Sequence, residues 1–133
     1  MRVLTDTAVW FRFVRRLRQV RTIETVLEDS TTRRYLSAIS VMEIVRKWRT
    51  GKLPCPHPET WLDDALEGFE ILPVTEPIAR QAALWDWEHK DPADQLIAAT
   101  AQHHGIELWH TDTVLRKLPG FPQRYFKAPP VIS

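Results

Sequence analysis

Short apolar runs alternate with longer stretches of helical periodicity along the chain, and this alternation limits the possible folds more than any other feature. Val3-Leu4 reads as a first strand. Tyr35-Leu36-Ser37-Ala38-Ile39, Phe69-Glu70-Ile71-Leu72-Pro73-Val74 and Glu107-Leu108-Trp109-His110 read as later ones, with Pro73 marking an end or an edge, and a last strand is expected around Arg124-Tyr125-Phe126. Between them, Val9, Trp10, Phe13, Val14 and Leu17 recur at i, i+3/i+4, the spacing of a buried helical stripe. A second helical piece covers about Gln19 to Leu27. Further helices are expected from Ser40 to Gly51, from near Pro58 to Gly68, from Thr75 through Trp85, and from Asp91-Pro92 to Gly105. Strands that alternate with helices build βα units, so the predicted class is α/β: a mostly parallel sheet of four to five strands with helices on both faces. At 133 residues the chain suits one domain, residues 1–133.

In such a sheet, strand ends and the helix starts beside them share one rim, and ligands bind there. Four acids fall at those places. Asp6 follows the first strand, Glu43 lies in the first turn of the helix expected from Ser40, Asp94 lies in the first turn after Pro92, and Asp112 follows the strand ending at His110. Each has a plain structural explanation. Asp6 and Asp112 can be N-caps, Ser40-Val41-Met42-Glu43 has the form of a capping box, and Asp91-Pro92-Ala93-Asp94 is a good helix start in which Asp91 is the cap. Taken together they imply more. Several carboxylates at one rim repel one another and favour either protonation or a cation. All-oxygen donors suit Mg²⁺ or Mn²⁺, and such ions can polarise a phosphodiester and lower the pKa of bound water.

Charge is unevenly distributed. Residues 1–52 carry twelve Lys/Arg against five Asp/Glu, and residues 53–133 carry six against twelve, although the whole chain is only +1. Arg12, Arg15, Arg16, Arg18 and Arg21, then Arg46, Lys47, Arg49 and Lys52, offer a basic surface suited to phosphate backbones or, more plainly, a solvated helix face. A single cysteine, Cys55, rules out an internal disulfide and fits a reducing, cytoplasmic setting; in the loop Pro54-Cys55-Pro56-His57 it is read as an incidental thiol. No apolar run reaches the roughly 20 residues of a membrane span, and Asp6 interrupts any secretory leader at the start. No Cys/His spacing of a zinc site and no Gly-rich phosphate loop occurs. A receiver-like phosphotransfer protein would want a second Asp beside Asp6, and Thr7-Ala8-Val9 supplies none. Trp10, Trp48, Trp61 and Trp85 fit apolar helix faces as core or interface anchors, and His103-His104 suit the negative end of their helix.

The motifs also carry a family likeness. Leu4-Thr5-Asp6-Thr7 resembles the opening strand and Asp-Thr of PIN domains, and Leu36 to Ile44 resembles their second acidic motif, with Gly51-Lys52-Leu53 similar to the family's helix end after that motif. His89-Lys90-Asp91-Pro92-Ala93-Asp94-Gln95-Leu96-Ile97-Ala98-Ala99-Thr100-Ala101 is similar to the third motif of one group of VapC toxins, and His104 to Leu108 with Thr111-Asp112 resembles the strand and fourth acid. The resemblance implies a PIN-like fold and a metal-dependent ribonuclease, the toxin of a type II VapBC toxin–antitoxin pair. It implies that Asp6, Glu43, Asp94 and Asp112 hold Mg²⁺ or Mn²⁺, with Thr7 and Ser40 orienting carboxylates or water and Asp91 capping its helix. It also implies an RNA substrate, a cognate antitoxin protein and a homodimer. One position departs from the pattern: His110 stands where the family usually has a small hydroxyl residue, and it is read as a strand-end histidine rather than a ligand. The alternative is a PIN-like protein- or RNA-binding module without turnover.

Overall fold

The computed structural model describes residues 1–53 and 58–129. The expectations for Cys55 and His57, and for the end of the proline-rich tail, fall outside the described residues. Five strands form one all-parallel sheet: β1 (Arg2–Thr5), β2 (Arg33–Ser37), β3 (Phe69–Leu72), β4 (Leu108–His110) and β5 (Gln123–Tyr125), in the order β3-β2-β1-β4-β5. The α/β class is borne out, and "mostly parallel" becomes wholly parallel.

Among the described residues, six helices connect and cover the strands: α1 (Thr7–Val14), α2 (Arg21–Glu28), α3 (Ala38–Arg49), α4 (Pro58–Leu66), α5 (Glu76–Leu84) and α6 (Pro92–His104). The strands are short, and alternate side chains enter separate cores, as the two-residue period demands. Leu4, Tyr35, Leu72 and Leu108 pack on one face with Ile97 and Ala101 of α6. Val3 and Trp109 pack on the other with Val9 of α1 and Ile23 and Leu27 of α2. A third cluster joins Trp10, Leu36 and Ile44 to Ala65 and Phe69, fixing α1, α3 and α4 together. Helix α5 lies outside α6, through Ile78 and Ala82 against Ala99. That extra layer explains why α6 is apolar along Ile97-Ala98-Ala99-Thr100-Ala101, all buried.

Several boundaries differ from expectation, and one difference matters for function. Strand β2 ends at Ser37, and α3 begins at once at Ala38, with Ser37 as the cap accepting from the Ile39 amide. Ser40 is therefore inside the helix and wholly buried, the Ser40–Glu43 capping box does not form, and Glu43 lies in the second turn rather than the first. A strand that passes into a helix without a loop leaves no residue for the usual polar signal, so the local pattern points to a cap too far along the chain. Helix α1 ends at Val14, earlier than the stripe suggests, and Leu17 is exposed. Trp85 lies just past α5 and stacks flat on Trp87 at 4.3 Å, instead of belonging to a helix face. Trp10, Trp48 and Trp61 pack against one another as core anchors.

All four glycines have a positive φ, where side chains are disfavoured. Gly105 closes α6 in the left-handed region (φ 63°), the expected C-terminal stop. Gly120 has φ 103°, and a Cβ there would lie 2.7 Å from Trp85 Nε1. Gly120→Ala therefore meets both a backbone penalty and a clash, whereas Gly51→Ala (φ 74°, open space) meets only the first. We expect Gly120→Ala to lose about 2 kcal/mol or more and Gly51→Ala about 1 kcal/mol, read as denaturant midpoints; equal losses would contradict the packing of Trp85 on this turn.

Candidate metal centre

The strand order reverses beside β1: β2 and β3 extend to one side, β4 and β5 to the other. A crevice opens at the carboxyl end of a sheet where such a reversal occurs. Asp6 follows β1 directly, and its backbone amide continues the ladder by donating to Trp109 O of β4 at 3.3 Å. Asp112 comes two residues after β4. Helix α6 precedes β4 and so runs back across the sheet, which puts its first turn, with Asp94, at the same rim. Helix α3 leaves that rim from the end of β2 and carries Glu43.

All four acids line one open cleft of about 660 Å³, joined by Asp91. Asp6 caps α1, its Oδ1 accepting from Val9 N at 2.8 Å. Asp112 accepts from Val114 N at 2.7 Å and Leu115 N at 3.1 Å through Oδ1, heading the 3₁₀ turn Leu115–Lys117. Asp91 is the cap of α6, accepting from Ala93 N at 2.9 Å, as expected. Capping and a place in the cleft are thus compatible: an amide takes one oxygen of Asp6 and of Asp112, and the other has no protein donor among the described residues.

Glu43 is held differently. The Thr7 hydroxyl lies 2.5 Å from Glu43 Oε1 and 2.8 Å from Ser40 Oγ. One hydroxyl carries one proton, so Thr7 donates to the carboxylate and accepts from Ser40, a relay that links α1 to α3. The expected part for Thr7 and Ser40 thus has a matching geometry. A contact that sequence reasoning missed is His89 Nε2 to Asp94 Oδ2 at 2.8 Å. His89, Asp91 and Asp94 have ligand atoms within 4.8 Å of one another. His89 belongs to the extended segment before α6, five residues from its partner, where no helical or strand periodicity relates the two.

The electrostatics follow from this gathering. Burial raises the Asp6 carboxyl to about 7, and the negative neighbours Asp94, Asp112 and Glu43 add to the effect, against the Val9 amide, which lowers it. Glu43 is also raised, mainly by burial, with the Thr7 hydrogen bond opposing and Asp94 adding. Asp94 is raised by burial, with His89 opposing and Asp91 adding. No Lys or Arg forms an ion pair with these acids among the described residues. Partly dry carboxylates that raise one another's pKa, all with oxygen donors, form a set that a hard divalent cation fits.

Cations line the same cleft further from the rim: Arg12 on α1, Lys47 on α3 and Lys52 just beyond it. Lys47 is one turn past Glu43, about 6 Å along the axis at 1.5 Å per residue. Phe11, Leu17 and Leu53 add apolar surface between them.

Residues 3–120 match the PIN domain family. The chain belongs to it. PIN domains are typically nucleases and usually bind divalent metal. Similar solved structures include VapBC2 from Rickettsia felis bound to a DNA fragment from its promoter, at TM-score 0.73 and 14% identity over 96% of this chain and 100% of that one, a likeness of fold. A toxin–antitoxin complex from Klebsiella pneumoniae reaches TM-score 0.63 at 28% identity, over 84% of this chain and 87% of that one. FitAcB from Neisseria gonorrhoeae reaches 0.58 at 29%, over 84% and 88%. Among the curated proteins none matches. Among the described residues of this PIN domain, no helix is long and apolar enough to cross a membrane.

The raised carboxyls give a pH signature. Asp6 titrates near 7 when folded and near its ordinary 3.8 when unfolded, so between those values the folded protein holds the extra proton. Ionising it costs stability: the cost is absent below about pH 4 and complete above about pH 7. Asn caps a helix as well as Asp and carries no charge. Without divalent ions, Asp6→Asn should therefore have nearly the wild-type Tm at pH 4.5 and a Tm several degrees higher at pH 8, where about 1–3 kcal/mol separates them. Millimolar Mg²⁺ at pH 8 should raise the wild-type Tm more than that of Asp6→Asn. Tm curves that run parallel across this range would show that the carboxyl is not so confined.

Proposed function

We propose that this chain is a Mg²⁺- or Mn²⁺-dependent endoribonuclease and the toxin of a type II toxin–antitoxin pair. It would work as one domain, residues 1–133, in the cytoplasm. The observation that carries the reading is the cleft: Asp6, Glu43, Asp94 and Asp112, from four separate parts of the chain, share it with Arg12, Lys47 and Lys52. The same walls thus offer oxygen donors for a divalent ion and cations for a polyanion.

In this reading Asp6, Glu43, Asp94 and Asp112 hold the ion, directly or through water. A bound Mg²⁺ or Mn²⁺ supplies Lewis-acid polarisation of the phosphodiester and lowers the pKa of coordinated water. The chain's own residues do the rest. Thr7 holds Glu43 in the cleft by donating to Oε1 and favours its charged form against the effect of burial. His89 occupies Oδ2 of Asp94, which leaves Oδ1 for the ion. Arg12, Lys47 and Lys52 bind backbone phosphates and set the scissile bond over the acids without reading bases. Phe11, Leu17 and Leu53 provide an apolar strip for unstacked bases, which favours single-stranded or looped RNA. No side chain is needed as a covalent nucleophile.

The partners in this proposal are the RNA substrate, a cognate antitoxin protein that covers the cleft, and a second copy of the chain in a homodimer. The Klebsiella pneumoniae relative, crystallised as a toxin–antitoxin complex, supports this by analogy.

RNA cleavage by purified protein with Mn²⁺ is the test. Asp6→Asn and Asp94→Asn should each lower kcat by about a thousandfold, the scale of losing one charge-stabilising group in a preorganised site, and EDTA should abolish the wild-type activity. Equal cleavage by wild type and Asp6→Asn would mean a contaminating nuclease, and a wild type that binds RNA without cutting it would mean a binding module. Arg12→Ala and Lys52→Ala should instead raise KM several-fold and flatten its salt dependence, each removing about one released counterion from the slope; an unchanged slope would remove these cations from the substrate path.

A further inference from the structure

His110 stands at the end of β4 with none of its surface exposed. Its Nε2 lies 2.7 Å from Gln123 Oε1, and its Nδ1 accepts a hydrogen bond from the backbone N–H of Asp112 at 3.1 Å. Gln123 lies in β5 and uses its amide nitrogen to donate to Leu118 O at 2.8 Å. That contact fixes which end of the Gln123 amide faces the ring. The oxygen must accept from Nε2–H, so Nδ1 is unprotonated, as its contact with an N–H donor also requires. Every polar atom of both side chains that enters this network is therefore satisfied, as burial in a low-dielectric interior demands.

Leu118 closes the 3₁₀ turn that Asp112 opens. The path Leu118 O, Gln123, His110, Asp112 N thus ties together the two ends of one turn from beneath. Asp112 is then fixed twice: its backbone N–H by His110, and its Oδ1 by the amides of Val114 and Leu115. Gln123 lies beyond the residues that match the PIN family, which end at 120.

We propose that His110 and Gln123 are paired positioning residues that set the Asp112 carboxylate for the divalent ion, which makes β5 part of the site's support. The proposal rests on the reading of Asp112 as a member of the metal site. A small hydroxyl in place of His110 could reach the Asp112 amide but not strand β5. The imidazole spans both, and the turn is then held by the edge strand as well as by its own backbone.

The test compares His110→Leu, His110→Asn, Gln123→Met and Asp112→Asn with wild type. Mn²⁺ affinity is read from free-ion EPR, and protection of the Asp112 amide from hydrogen exchange. Leu and Met keep volume and lose hydrogen bonding, whereas Asn can still offer an acceptor to the Asp112 amide. We expect His110→Leu and Gln123→Met to weaken Mn²⁺ binding about tenfold, the lower end of what partners of metal ligands usually cost. Asp112 exchange should speed up while the Val3 and Leu4 amides stay protected, and His110→Asn, which keeps an acceptor for the Asp112 amide but does not reach Gln123, should lose less than His110→Leu and resemble Gln123→Met. In RNA cleavage the loss should fall on kcat, with KM unchanged. If Asp112→Asn weakens Mn²⁺ binding but His110→Leu and Gln123→Met do not, the positioning proposal is overturned and the metal reading stands. If wild type and Asp112→Asn bind Mn²⁺ equally, the assignment of Asp112 fails and the proposal goes with it. Should His110→Leu not fold, Gln123→Met and the ¹⁵N shifts of the wild-type ring, which must show protonated Nε2 and bare Nδ1, decide the matter.

Discussion

Burial of neighbouring carboxylates in one cleft, with their mutual repulsion adding to it, is the constraint around which this molecule is arranged. Burial, with the negative neighbours of the shared cleft adding to it, raises the Asp6 carboxyl to about 7 and the Glu43 and Asp94 carboxyls above their ordinary values. Left to themselves, such groups would drive the segments that carry them apart. The parallel sheet prevents this. Asp6 is bound into the β1–β4 ladder through its backbone, and α6 is locked by its apolar contacts with the sheet on one side and α5 on the other. The unusual apolarity of α6 is then intelligible. The helix that carries an acid into the cluster is the most deeply buried one in the fold, and it can hold Asp94 against repulsion because it cannot move.

The same arrangement gives the charge asymmetry of the chain a spatial meaning. The basic part, residues 1–52, does not simply neutralise the acidic remainder, for few ion pairs link them: Arg33–Glu70 is the one that crosses between the two parts among the described residues, and it is exposed. Arg12, Lys47 and Lys52 instead line the cleft that holds the acids. Helices α1 and α3 both carry an acid or its partner near the rim and a cation further along. A polyanion laid in the cleft would therefore meet cations on either side of its path and the acidic cluster at one end, an order that a uniformly basic groove could not impose.

How much of this was legible in the sequence depends on the range of the interaction. The βα alternation and the positions of Asp6, Asp94 and Asp112 follow from local signals, namely apolar period, proline at a helix start and acid after a strand, and these fall where expected. Glu43 is reached from the sequence for a partly wrong reason. Its expected place in the first turn of a helix starting at Ser40 points to it, but Ser37 is the cap, Glu43 lies in the second turn, and Thr7 from another helix is the residue that holds it. His89 with Asp94, Trp85 on Trp87 and His110 with Gln123 are contacts between segments of irregular or unrelated period, and nothing in local spacing announces them. The one hint is that His110 departs from the family pattern.

His110 also bears on how a buried polar side chain is accommodated beneath the cleft. A buried histidine costs free energy unless both ring nitrogens find partners, and burial here lowers its tendency to protonate. With Gln123 on one nitrogen and the Asp112 amide on the other, the ring stays neutral and satisfied. A charged imidazolium in its place would offset some carboxylate repulsion, but it would lose the Asp112 amide as a donor, since a protonated Nδ1 cannot accept. The neutral tautomer keeps the turn closed and leaves the negative potential of the cleft undiminished. On the proposed reading this favours a divalent ion, because a fixed cation among the acids would compete with it.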